Sequence, residues 1–502
     1  MKKKVISVLL SAVLAAGALS TGIGAQTVKA ETETAADIDT SEFVELSMYV
    51  IGDRPAGQDV NDEYMNEIFK EKLNCSLTIN WIPWADYLNK YPLLFTSGEE
   101  FDMAYTATWL NFSSLAQKGA FMELDDIWPE YAPKNYAAAT DTAKKQATVQ
   151  GHIYCIPSQL ATYSAYGTIY RGDILEEAGL DEIKNFDDVE AYCDYVKEAH
   201  PDMEPLDISS VAGSLFDVLY LSNEGYSSVS SGGINEFLYY DPTEEQPQLK
   251  TMYEVEDIKD YLEMMSRWNE KGFFGKSALA DTDSTKFQNG KAALMIHNLD
   301  NYRDQAILNP DWNLQYTNFV KNIAHMPYTQ DALVISNTSR NPERALALWD
   351  LITTDQEVFD AFMYGIEGTT YELNDEGQYS ILDTSLYAAG NCWAARTNEL
   401  NRNVAGTPSA YEDFKVEFEK QIEENDSAEK YASFVPDTSS IEVEYAACQS
   451  VNQQYWWPLE LGYTDLESGL EEYKSQMEAA GIEKVREELQ RQLDEYTASI
   501  NE

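Results

Sequence analysis

Between residues 43 and 105 the apolar positions change period repeatedly. Val44, Leu46, Met48 and Val50 alternate with polar neighbours, as in a strand with one buried face. Met65, Ile68, Phe69 and Leu73 then recur at helical spacing, with Asn61 as the expected cap. Leu77, Ile79 and Trp81 alternate again. A second helix through Tyr87 and Leu94 is broken at Ser97-Gly98 and leads into a strand from Phe101 to Tyr105. Strands starting about 30 residues apart and joined by helices are what parallel βαβ units require. The first lobe is therefore expected to be an open parallel sheet with helices on its faces.

From Gly151 to Ile174 the texture changes to short Tyr-rich strands, and Phe186-Asp187 reads as a staple and cap for a helix running to His200, stopped by Pro201. This opens a second α/β lobe. Val255 to Lys271 reads as a helix, and Asn289-Gly290 as a turn into the strand Ala292 to Ile296. Leu333 to Ile335 is another strand, and Asn341-Pro342 starts a helix through Ala345, Leu348 and Ile352. Asn374-Asp375-Glu376-Gly377 joins Tyr371–Leu373 to Tyr379–Ile381 as a hairpin. After Thr464 the chain reads as helix, with Ile482, Val485, Leu489 and Leu493 on one face. No repeat or low-complexity tract is visible. The pattern places lobe 1 at residues 42–155 plus about 313–368, and lobe 2 at 156–312 plus about 369–502.

The first 30 residues change the picture. Lys2, Lys3 and Lys4 precede an apolar stretch from Val5 to Ala25, and Val28-Lys29-Ala30 offers a signal-peptidase site. Ser11, Gly17, Ser20, Thr21, Gly22 and Gly24 dilute the apolar run, favouring cleavage over a retained anchor. Residues 31–41 then form a polar, acidic tether. Without residues 1–30 the formal charge is −55, from 31 basic and 86 acidic side chains, a surface that repels nucleic acid and anionic lipid. Ten Trp, 33 Tyr and 18 Phe supply cores for two or three lobes, so the charge describes an exterior, not disorder. The five cysteines are scattered without a CxxC pair; buried free thiols or a single disulfide are the open readings.

A string of spaced motifs adds a family resemblance. Thr96-Ser97-Gly98-Glu99-Glu100-Phe101-Asp102, Gly151-His152-Ile153-Tyr154-Cys155-Ile156-Pro157, Tyr170-Arg171-Gly172-Asp173-Ile174-Leu175-Glu176-Glu177-Ala178-Gly179-Leu180 and Phe287-Gln288-Asn289-Gly290-Lys291-Ala292-Ala293-Leu294 follow in order. Tyr364-Gly365-Ile366-Glu367-Gly368-Thr369-Thr370-Tyr371 comes last, with Thr370 where a His is usual. Together they resemble the extracellular solute-binding proteins of ABC importers, sugar-transporter type (family 1), in the LplA-like, DUF3502-containing branch. The resemblance implies the two-lobe periplasmic-binding-protein (type II, Venus-flytrap) fold, α/β with a cleft between lobes and here a helical C-terminus. It also implies an oligosaccharide ligand, delivery to ABC permease membrane subunits, a monomer, no catalysis and no cofactor. One departure stands out: relatives often carry a lipidated cysteine after the signal, whereas the first cysteine here is Cys75. The protein is then exported, extracellular or periplasmic, and associated with the cell surface through its permease.

Sugar rings present apolar faces and hydroxyl edges, so their sites need flat aromatic platforms beside polar groups. Loops at the carboxyl ends of parallel strands should carry them, which nominates Trp84, Tyr105 and Trp109; Trp81 continues a strand and reads as buried. Tyr163, Tyr166 and Tyr170 lie near the lobe crossing, as cleft or as sheet-edge packing. Trp393 and Arg396, and Trp456 within Tyr455-Trp456-Trp457-Pro458, either wall the cleft or plug a lobe. Glu367 is a hydroxyl acceptor or braces a hinge-side loop, and Asp331 reaches a ligand or caps a turn. Arg171 and Arg396 are the side chains that would accept a uronate. The four histidines show no metal spacing, and Asp281 and Asp283 lack the Gly and Glu of a calcium loop. No esterase, P-loop or dinucleotide motif is present. The rivals are a secreted glycan-degrading enzyme, a peptide binder and a ligand-presenting partner of a membrane sensor.

Overall fold

The first strand, β1 (Val44–Ile51), buries Leu46, Met48 and Val50 to 2% exposure or less, as its alternation requires. It runs parallel to β2 (Cys75–Ile82) in unbroken register from Val44↔Cys75 to Ile51↔Ile82, and parallel to β3 (Met103–Thr106) at Met48↔Met103. Helix α1 (Gln58–Leu73) makes the first crossover and buries Met65 and Phe69. It starts three residues before Asn61, which is therefore an interior, fully buried residue and not the cap; Gly57 occupies the cap position. Helix α2 (Tyr87–Leu94) makes the second crossover, and the Tyr91 hydroxyl donates to the Tyr105 carbonyl at 2.9 Å, fixing it against β3. Strands Ala332–Ile335 and Ile156–Pro157 complete a five-stranded sheet on the β3 side, both antiparallel to their neighbours.

This computed structural model describes residues 38–209, 216–229, 236–281, 283, 285–383 and 392–501; the export segment and most of the tether lie outside them. Residues 35–502 cluster as one unit containing separate cores. The lobe 1 core surrounds the five-stranded sheet and contains the fully buried Trp128 and Trp349. Lobe 2 is built on the sheet Gln315–Asn318, Tyr166–Tyr170, Ala292–Asn298, Glu204–Leu206, and its larger core holds Trp268 and Trp456. Burying one such side chain contributes about 1.5–3 kcal/mol, so each lobe has its own anchors. The C-terminal helices Leu466–Ala480 and Ile482–Ile500 pack on lobe 2, with Ile482, Val485, Leu489 and Leu493 all at 0% exposure. No helix among the described residues is long and apolar enough to cross a membrane.

The lobe boundaries differ from those expected. Gln315–Asn318 pairs with Tyr166–Tyr170, so residues from 313 to about 323 belong to lobe 2. The hairpin at Tyr371 and Tyr379, with Cys392, Ala394 and Ala395, packs into lobe 1, where both tyrosines lie against Tyr364 at 5.7 and 4.3 Å. The chain crosses between lobes near 158–165, again at 324–331, and a third time between Val404 and Tyr411. The first two crossings run antiparallel: Ser164 N–H donates to the Ala324 carbonyl and Met326 N–H to the Thr162 carbonyl, each at 2.8 Å. All five cysteines are buried free thiols.

Candidate ligand-binding site

The loops leaving β2 and β3 place their aromatic residues side by side. Pro83 turns the chain after β2 and presents Trp84; the short helical turn Thr108–Leu110 after β3 presents Trp109. The indoles of Trp84 and Trp109 stack at 6.0 Å and 25°, and Tyr87 meets both edge-on at 5.5 and 5.6 Å. From far along the chain the turn Trp393–Ala395 adds a third indole, stacked on Trp84 at 5.8 Å and 28° and edge-on to Tyr105 at 6.0 Å. Trp84, Trp109 and Trp393 are each only half-buried.

A charged strip runs beside the rings. Asp331 stands at the start of Ala332–Ile335, which is antiparallel to β3, so it lies at the same carboxyl edge. Its Oδ1 accepts from the Tyr105 hydroxyl at 2.7 Å and its Oδ2 from Arg396 Nη2 at 2.5 Å. Burial, then the Asp331 charge, push the Tyr105 phenol far above its ordinary range, so it acts as a permanent donor. The backbones of both charged residues are stitched to the first crossing strand: Ser158 N–H donates to the Asp331 carbonyl at 2.8 Å and Gln159 N–H to the Arg396 carbonyl at 3.0 Å.

Across from them lies the first turn of the lobe 2 helix Leu299–Leu308, capped by Asn298. Asp300 Oδ2 is 3.8 Å from Arg396 Nη1, and its Oδ1 accepts from the Tyr411 hydroxyl at 2.6 Å. Burial opposes ionisation of Asp300, but Arg303, Arg396 and the Tyr411 hydroxyl together hold its carboxyl below the usual value. Arg303 pairs with Asp304 at 2.8 Å. Asp304 keeps 54% of its side-chain surface, yet desolvation raises its carboxyl, partly offset by Arg303. Arg396 thus brings a lobe 1 guanidinium to within 3.8 Å of the lobe 2 carboxylate of Asp300.

Of the side chains nominated from sequence, Trp84, Tyr105, Trp109, Asp331, Trp393 and Arg396 converge here. Tyr163 lies on the first crossing strand, paired with His325, and its hydroxyl donates to Glu419 at 2.7 Å. Glu367 is exposed on a lobe 1 turn. Tyr170 and Trp456 are corrections: both are at 0% exposure inside lobe 2, one against Tyr192 and the other donating to Asp217 at 3.2 Å, so neither ring can stack on a ligand. Arg171 is tied to Asp173 at 2.7 and 2.5 Å and lies over Trp312. Asp300, Arg303, Asp304 and Tyr411 were not nominated; for the first three the signal available was a helix starting at the carboxyl end of Ala292–Asn298, the same rule that found Trp84, whereas Tyr411 comes from the distant helix Ser409–Glu424. Asp281 and Asp283 face Lys286 and Lys291 at 3.1 and 3.0 Å. Folding also brings exposed Glu123, Asp125 and His152 together, which their spacing does not reveal.

Residues 56–358 match the model of the bacterial extracellular solute-binding proteins, and residues 430–498 match a domain of unknown function, DUF3502. A carbohydrate ABC transporter substrate-binding protein of Streptococcus pneumoniae serotype 4 is 26% identical over 479 residues, covering 91% of this chain and 92% of the relative. Among solved structures, the N-glycan transport solute-binding protein NgtS of Streptococcus pneumoniae with Man1GlcNAc superposes at a TM-score of 0.76 and 22% identity over 91% of this chain and 100% of that one. Its complex with Man5GlcNAc gives 0.75, at 23% identity over 91% and 99%. The alginate-binding protein AlgQ2 gives 0.62, at 16% identity over 92% and 100%.

Proposed function

The chain belongs to the bacterial extracellular solute-binding proteins, and from that premise we propose that it captures an oligosaccharide between its lobes and hands it to the permease of an ABC importer. It binds as a monomer, closes by bending at the crossing strands, and releases the sugar unchanged outside the cytoplasmic membrane. The observation that carries this reading is the half-buried cluster of Trp84, Trp109 and Trp393 beside Asp331 and Arg396, facing Asp300. Indole faces match the apolar faces of pyranose rings, and the charged strip supplies acceptors and donors for hydroxyls. Micromolar capture needs about −8 kcal/mol net, within reach of a few stacked rings and satisfied hydroxyls after the cost of closing.

The relative described as carbohydrate-binding and the NgtS complexes with Man1GlcNAc and Man5GlcNAc make mannose-rich N-glycan fragments the first ligands to try. Calorimetry should show Man5GlcNAc binding with a negative heat-capacity change, while a peptide panel gives no heat. A peptide that binds where no glycan does would overturn the sugar assignment. Mass spectrometry of the recovered glycan tests the transport role: an intact mass supports it, and shortened products would establish a glycan-degrading enzyme instead.

A further inference from the structure

Resting on the sugar-binding reading above, we propose that this site selects uncharged oligosaccharides against uronate-bearing ones, and that Asp331 sets the selectivity by neutralising Arg396. Ring stacking does not make this distinction, because a hexose and its uronate have similar faces. Nor does the fold, since the alginate-binding protein AlgQ2, whose ligand is a polyuronate, shares it at a TM-score of 0.62. The charged side chains beside the rings must decide.

The two guanidinium groups described at the cluster, Arg396 and Arg303, are both occupied. Arg396 gives Nη2 to Asp331 at 2.5 Å and keeps Nη1 3.8 Å from Asp300. Arg303 is held by Asp304 at 2.8 Å and Asp300 at 3.5 Å, and its Nη1 donates to the Tyr411 hydroxyl at 3.2 Å. Lys415 sits over the Tyr411 ring and pairs with Glu412 at 3.3 Å. Asp300, Asp304 and Asp331 therefore outnumber Arg303 and Arg396 by one. Asp331 is also locked in place: Tyr105 holds its other oxygen, and the residue is 7% exposed. A ligand carboxylate would have to displace Asp331 from Arg396 and leave it buried without its cation, a costly exchange. A hydroxyl needs no such exchange, because it can donate to the exposed carboxylate of Asp304 without displacing Arg303.

A purely structural Tyr105–Asp331–Arg396 brace would explain the same distances, so the test needs a readout that a brace does not move, namely gained binding. Mannotriose and a mannuronate trimer present similar rings and differ in charge. They are titrated calorimetrically into the wild type, Asp331→Asn and Asp300→Asn, with Man5GlcNAc as reference. Asparagine keeps the shape and the acceptor for Tyr105 while freeing the guanidinium. The wild type should favour mannotriose over the uronate by about a hundredfold or more. Asp331→Asn should gain at least about tenfold for the uronate, and the gain should shrink with added salt. Equal wild-type affinity for the two trimers overturns the proposal, as does a folded Asp331→Asn without the gain. Should that variant fail to fold, Asp300→Asn, which leaves the Tyr105–Asp331 contact in place, must show the gain, and its absence there overturns the proposal equally. A wild type that binds none of the sugars, Man5GlcNAc included, sinks the sugar-binding reading itself; one that binds both classes sinks only the selectivity.

Discussion

Replacing Trp393 with alanine separates a sugar platform from a plug in lobe 1. The ring makes two aromatic contacts, with Trp84 at 5.8 Å and Tyr105 at 6.0 Å, and is only half-buried. Such pairs contribute about 0.5–1.5 kcal/mol each, so Trp393→Ala should lower folding stability by roughly 1–3 kcal/mol. Truncating a Trp anchor in a binding site costs about 2 kcal/mol of affinity, and at 1.4 kcal/mol per decade that is about thirtyfold. The matched control is Trp456→Phe, which removes the indole N–H bonded to Asp217 at 3.2 Å inside lobe 2. That control should lose about 1–3 kcal/mol of stability, leaving a half-buried carboxylate short of a donor, with no change in affinity. Denaturant unfolding and glycan calorimetry on both variants give the two numbers. If Trp393→Ala loses stability as stated but binds Man5GlcNAc within twofold of the wild type, the ring fills space and the platform argument fails.

Three further outcomes follow from particular contacts. Gly365 has φ +89°, and a Cβ there would sit 2.4 Å from the Thr370 hydroxyl and 2.8 Å from the Asn61 amide oxygen, so Gly365→Ala should lower the unfolding free energy by more than about 1 kcal/mol in chemical denaturation. His325, on the second crossing strand, is held by Glu429 and Glu419, each at 3.2 Å; the bond to Glu429, opposed by burial, raises its imidazole above the ordinary value. A raised pKa gives stability that is fully present below about pH 6.5 and is lost as pH climbs through the folded value, so the wild type should lose melting temperature over that rise while His325→Gln stays flat; parallel curves would remove the histidine from the account. Gln146 accepts from the Tyr328 N–H at 2.8 Å and donates to the Ala432 carbonyl at 3.0 Å and Ser433 Oγ at 3.2 Å, tying lobe 1 to the second crossing and the C-terminal segment. Gln146→Ala should cost about 1–3 kcal/mol in thermal unfolding, and an unchanged midpoint would show that water replaces it.

The first lobe was legible because each of its early elements obeys one clean period, and its ring residues because they follow parallel strands directly. Trp84 and Trp109 come together because each follows a parallel strand at the same edge of one sheet. Asp300, Arg303 and Asp304 escaped because charges at i, i+3 and i+4 on a helix look the same from sequence whether they face bulk water or a groove. Tyr170 misled for the opposite reason. Its strand is flanked on both sides in the lobe 2 sheet and is buried from Gly167 to Tyr170, so alternation says nothing about exposure there. Trp456 ends the π-helical turn Asn452–Trp456, which breaks the helical period that would have marked it as core. The lobe boundaries slipped because the third crossing is set by tertiary packing of Tyr371 and Tyr379 on Tyr364, a contact with no local sequence signature.

The most direct measurement is a crystal structure grown with Man5GlcNAc. The account predicts an intact glycan with at least one pyranose face on Trp84, Trp109 or Trp393, and hydroxyls within hydrogen-bond distance of Asp300, Asp304 or Arg396. A glycan bound elsewhere, or lobes closed over a cluster that never touches it, would contradict it.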